Sequence, residues 1–263
     1  MESLPAGVLV PALDREGRLL AAAAARSGTG ATVPTCPGWR VRDLLRHTGA
    51  VHRWATALVA EGHTRFRRSG SGPALDGDEL LDWFQEGHRA LVTTLTAAPD
   101  DLDCWTFLPA PSPLAFWARR QAHETAVHRM DAESALGLEP GGPARSSSAQ
   151  GGPEPHPPEP EFAADGIDEL LCAFHAGSRS RVRTERPRVL RVRATDTGDV
   201  WTVRLSPAPP RTEHTGEGPA DCELSGDAAL LYATLWNRRP LSAVSLTGDT
   251  SLARLWRETS AIG

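Results

Sequence analysis

The stretch "RRQAHETAVHRMDAE", residues 119–133, holds a carboxylate and two imidazoles within six residues. At first sight it is the helix of a zinc peptidase. That motif, H-E-x-x-H, sets two His four residues apart on one helical face and leaves the Glu as a base. Here His123 and His128 are five apart. Five residues turn a helix through about 140° beyond one full turn, whereas four leave only about 40°. His123 therefore points away, and the pair that shares a face is Glu124 with His128. A carboxylate oxygen and an imidazole nitrogen suit zinc and similar divalent ions. A catalytic zinc takes three protein ligands, so a third must come from another helix. His47, in "VRDLLRHTGAVHRWA", is the best-placed candidate, because bundles build such sites from facing helices. His52, five residues further on, faces elsewhere.

The same residues read equally as a surface Glu–His pair and a hydrogen-bonded core histidine. Asp131, three residues past His128, and Asp43, four before His47, could each orient an imidazole as an outer acceptor or stand as solvated carboxylates.

These residues need helices to carry them. Apolar spacing and breakers predict helices over 7–25, 40–61, 78–97, 114–136 and 166–175. The pattern changes after Ser180. "VLRVRAT" (189–195) and "VWTVRLS" (200–206) alternate apolar and polar around a Gly-containing turn, the signature of a hairpin. "DCELSG" (221–226) and "AVSLTGD" (243–249) read as further strands, with helices at 227–237 and 251–258. The expected fold is α+β: a helical bundle in residues 1–180, then a small α+β domain in 181–263. Residues 138–160, rich in Pro, Gly and Ser, read as a loop.

Composition narrows the partners. The net charge is −5 and no 18-residue apolar run occurs, so neither nucleic acid nor membrane is expected. The start, MESLPAGVLVPALDREGRLL, lacks the build of a secretion signal. Cys36, Cys104, Cys172 and Cys222 form no C-x-x-C pair and fit a reducing cytoplasm as small buried side chains. All 28 basic residues are Arg, as expected from a GC-rich genome. Trp39, Trp54, Trp83 and Trp117 read as core packing beside the helices.

"TCPGWRVRDLLRH", "FWARRQAHETAVHRMDAESALG" and "EFAADGIDELL", in that order, resemble the maleylpyruvate isomerase family of mycothiol-dependent enzymes. The resemblance spans nearly the whole chain and implies a DinB-like, metal-binding antiparallel four-helix bundle with a small α+β C-terminal domain. It implies a divalent metal, zinc first, on His47, Glu124 and His128, the positions that spacing also selects. It implies mycothiol, the thiol of actinobacteria, as cosubstrate. It further implies an Arg near a Leu-Trp-x-Arg segment; "TLWNRRPL" offers Arg238 as the catalytic residue, with Arg239 as rival. The expected function is a cytoplasmic, monomeric isomerase or thiol S-transferase acting on a small electrophile through a metal-activated thiolate. The competing expectations are a non-catalytic zinc- or ligand-binding module, with Cys36 in a redox-sensing role, and a zinc-dependent hydrolase.

Overall fold

The computed structural model describes residues 3–142 and 155–262, so most of the Pro-, Gly- and Ser-rich stretch at 138–160 lies outside the described residues. The chain divides into two compact units, one spanning Leu4–Leu138 and one built from the residues after it together with Ser3.

The first unit is a four-helix bundle: α1 (Ala6–Ser27), α2 (Val41–Ala60), α3 (Gly77–Ala97) and α4 (Pro113–Ser134). α1 and α2 each pack against both α3 and α4, so α4 runs between them and faces α2. The ends are set locally. Ser112 Oγ accepts from the Ala115 amide at 3.1 Å, and Pro113 opens α4, where its missing N–H costs nothing. Asp43 Oδ2 accepts from the Arg40 amide at 2.9 Å, so this carboxylate starts α2 and also approaches Arg46. Gly137, at φ 73°, takes the left-handed turn that ends α4. Gly49 lets α2 meet α3, because a Cβ there would overlap the Trp83 ring.

α2 buries one stripe, including Val41, Leu44, Leu45, Leu58 and Val59. α4 is buried nearly all round, from Trp117 through Ala122 and Ala126 to Met130. It also buries charge: Arg129 bonds Glu16 at 2.7 Å and Glu133 at 2.7 Å. A buried ion cluster persists only when every partner is present.

The second unit opens with α5 (Pro160–Asp168), which continues as a π-helical turn over Glu169–Phe174. Five strands follow: β1 (Arg188–Ala194), β2 (Val200–Leu205), β3 (Arg211–Glu213), β4 (Cys222–Gly226) and β5 (Ser245–Gly248). Their order in the sheet is β3-β2-β1-β4-β5, with β1 and β4 parallel and the other pairs antiparallel. α6 (Ala228–Leu235) and α7 (Ser251–Thr259) complete the unit. Its core joins Leu190, Val192, Trp201, Val203, Leu224, Tyr232 and Trp256.

The α+β class and the expected hairpin are present. Two details differ from the sequence reading. The units divide after Leu138, whereas composition placed the change near residue 180; α5 packs against α6 and buries Phe162 and Ile167 in the second unit. β3 is an added strand, only three residues of polar sequence on the sheet edge.

Candidate functional site

The facing of α2 and α4 brings His47, Glu124 and His128 together. His47 Nε2 lies 3.3 Å and His128 Nε2 3.2 Å from the same atom, Glu124 Oε1. The two rings stand almost perpendicular, with centroids 5.0 Å apart. One donor atom from each side chain falls within 4.8 Å of the others, a spacing one cation could bridge. Exposure grades across the group: the His47 side chain is 41 % exposed, Glu124 25 % and His128 10 %. The site therefore opens to solvent on its α2 side.

Further residues hold this geometry. Asp131 Oδ2 lies 3.0 Å from His128 Nδ1, which fixes that nitrogen as the N–H and turns Nε2 toward Glu124. Thr35 Oγ1 donates to the other Asp131 oxygen at 2.6 Å and lies 3.0 Å from Ser134 Oγ. Arg120, one turn before Glu124, donates to Glu124 Oε2 at 3.1 Å and leaves Oε1 to the imidazoles. Trp39 stacks on the His128 ring at 6.3 Å and meets the His47 ring edge-on at 5.3 Å.

The electrostatics follow from this packing. Burial alone would lower the His128 pKa, but Asp131 and Glu124 outweigh it and push it up to about 9. Burial alone would raise the Glu124 pKa, yet hydrogen bonds with His128 and His47 and the Arg120 charge hold it well below the usual range. The site thus keeps a carboxylate charged and draws positive charge toward it. A proton fills that role here; the donor set, two imidazole nitrogens and a carboxylate oxygen, suits zinc or a similar divalent ion equally well.

The neighbouring histidines serve elsewhere. His52 is buried, 2.9 Å from Thr125 Oγ1, and burial first, then His88, lowers its pKa well below the ordinary value. His123 is buried as well. Asp43 caps α2 and does not orient His47. Cys36 lies in the turn before α2, its amide donating to Val33. Arg238 belongs to the second unit. Asn237, at φ 62°, ends the turn after α6, and Arg238 Nη1 then donates to Trp236 O at 2.8 Å. Its rival Arg239 pairs with Glu139 at 2.7 Å.

Sequence reasoning singled out the three converging side chains and Asp131 but missed Arg120, Thr35 and Trp39 as their supports. Arg120 was legible as an i,i+4 partner of Glu124. Thr35 and Trp39 come from a non-helical turn, where no periodicity reports a direction.

Residues 10–133 match the family model for the mycothiol maleylpyruvate isomerase N-terminal domain, and residues 161–255 match the MDMPI C-terminal domain. Among solved structures, a crystal structure of the mycothiol-dependent maleylpyruvate isomerase superposes with a TM-score of 0.58 at 13% identity, covering 94% of this chain and 96% of that one. A point mutant of a mycothiol-dependent maleylpyruvate isomerase gives a TM-score of 0.55 at 13% identity with the same coverage. At that identity the likeness speaks for the fold alone. A search of curated proteins finds no match. With both domain models matched in order, the chain belongs to the mycothiol-dependent maleylpyruvate isomerase family.

Proposed function

We propose that this protein is a mycothiol-dependent enzyme that binds a divalent metal, zinc first, on His47, Glu124 and His128 and acts on a small electrophile. The observation that carries this reading is the convergence of two imidazoles from two helices on one carboxylate oxygen. When bound, such a metal supplies Lewis acidity, which lowers the pKa of a coordinated thiol into the neutral range.

The chain's own residues supply the rest. Glu124 contributes the negative charge, held ionised by Arg120 and the two imidazoles. Asp131 keeps a proton on His128 Nδ1, so Nε2 is the nitrogen that faces Glu124 and would give up its proton to a metal. His47 is the most exposed of the three, and thiol and substrate are proposed to enter on its side. Arg238 is proposed to pair with a substrate carboxylate or a developing enolate. In the isomerase form the thiol sulfur adds to an activated double bond, the resulting single bond rotates, and expulsion of the thiol restores the double bond. In the transferase form a leaving group departs and the sulfur stays.

Calorimetric titration of mycothiol into metal-loaded and metal-stripped protein tests the reading. Saturable binding to the loaded form alone is expected. Equal or absent binding in both forms would favour a non-catalytic metal module or a hydrolase.

A further inference from the structure

A second cluster of ligating groups lies wholly within the second unit. Asp168, the last residue of α5, and Cys172, in the π-helical turn, are four residues apart on one helical face. His214 follows β3 directly. Asp168 Oδ1 is the hub: His214 Nε2 lies 2.5 Å from it, and Cys172 Sγ donates to it at 3.3 Å. Cys172 Sγ and His214 Nε2 are 3.9 Å apart. The fully buried Trp201 donates its indole N–H to the same oxygen at 3.2 Å and fixes the carboxylate from beneath.

We propose that Asp168, Cys172 and His214 form a second divalent-cation site of the zinc class. Thiolate, imidazole and carboxylate together are the donor set of a borderline-soft ion; hard cations such as magnesium avoid the thiolate. Tetrahedral zinc with bonds of about 2.0–2.3 Å places its ligand atoms about 3.3–3.6 Å apart. The Asp168–Cys172 separation already fits. Cys172–His214 must close slightly, and Asp168–His214 must open by under about 1 Å. A hydrogen-bonded pair changes in that way when a cation replaces its proton. Binding releases the Cys172 thiol proton to solvent, moves the proton between His214 Nε2 and Asp168 to Nδ1 or to solvent, and involves no change of oxidation state.

The site has a built inner wall and an open outer side. Asp168 is buried and held by Trp201, whereas the His214 side chain is 39 % exposed. Three protein ligands with solvent on one side leave the fourth position for water or a small anion. A cation there would tie the π-helical turn to the edge of the sheet. π-Helical turns are frequent where a helix must aim a functional side chain.

Cobalt(II) separates this site from the bundle site, because only a thiolate ligand gives a sulfur-to-cobalt charge-transfer band in the near ultraviolet. Titration of the metal-stripped full chain should develop that band. It should persist in Glu124→Gln, which alters the bundle group, and vanish in Cys172→Ser. His214→Ala, an exposed change that leaves the core intact, should weaken cobalt binding at this band by at least about tenfold. A folded wild-type protein that shows no band at saturating cobalt overturns the proposal. So does a band that survives Cys172→Ser, or His214→Ala titrating like wild type.

Discussion

At the residue scale the bundle site is a carboxylate shared by two imidazoles, and its quality rests on what holds them. Asp131 is completely buried and is the acceptor that aims His128. Replacing Asp131 with Asn keeps the shape but removes the charge that fixes the His128 tautomer. Zinc affinity, measured by competition with a chromophoric chelator, should fall about 10–100-fold. Unchanged affinity would mean that Asp131 only packs. Much of this group was legible in the sequence, because helical periodicity converts a spacing into a direction. Four residues put Glu124 and His128 on one face, and five removed His123. The second cluster was not legible. Asp168 and Cys172 share a face, but His214 reaches them from a loop 42 residues beyond Cys172, where spacing carries no direction. Cys172 read as a buried small side chain; it is half-buried against His214.

At the scale of elements, α4 carries most of the burden. It is buried on nearly every side, so its charged residues must satisfy one another. Arg129 stands between Glu16 of α1 and Glu133 of α4. Arg129→Ala should remove the buried cation that Glu16 and Glu133 share and destabilise the bundle by about 3–5 kcal/mol in urea unfolding. A loss under about 1 kcal/mol would show that water reaches the cluster. The long helices were readable to within a few residues because their stripes are long and their ends punctuated by Pro37-Gly38, Pro113 and Gly137. β3 was not, since "RTE" has neither alternation nor apolar content. The start of α5 was missed by six residues because the helix begins within "PEPEFAADG", where Pro160 reads as loop yet serves as a first helical residue.

At the scale of the whole molecule, buried neutral histidines make stability depend on pH. Burial pushes His175 down to about 4, against 6.5 for the ordinary group, and the Ser260 backbone offsets only part of it. Between those values the unfolded chain binds a proton that the native state refuses. His175 therefore leaves stability intact above about pH 6.5 and erodes it as the pH falls toward 4. The ceiling is about 3 kcal/mol from this residue. His128 works in another window: its raised pKa favours the metal-free native state below about 6.5, and that benefit is lost as the pH climbs through about 9. Urea unfolding at pH 7 and pH 5 should show the acid loss in wild type and a smaller loss in His175→Gln. Equal losses in both would assign the acid sensitivity elsewhere. Among the described residues no helix is long and apolar enough to cross a membrane.

The central claim is that His47, Glu124 and His128 hold one metal ion together. The direct test is metal content by mass spectrometry, on tag-free full-length protein in a Cys172→Ser background that silences the second cluster. Folding of each variant is checked by circular dichroism. One equivalent of zinc is expected with the three residues intact, and well under a tenth of an equivalent in His47→Ala and in Glu124→Ala after dialysis. Full retention of zinc in both folded variants would contradict the account.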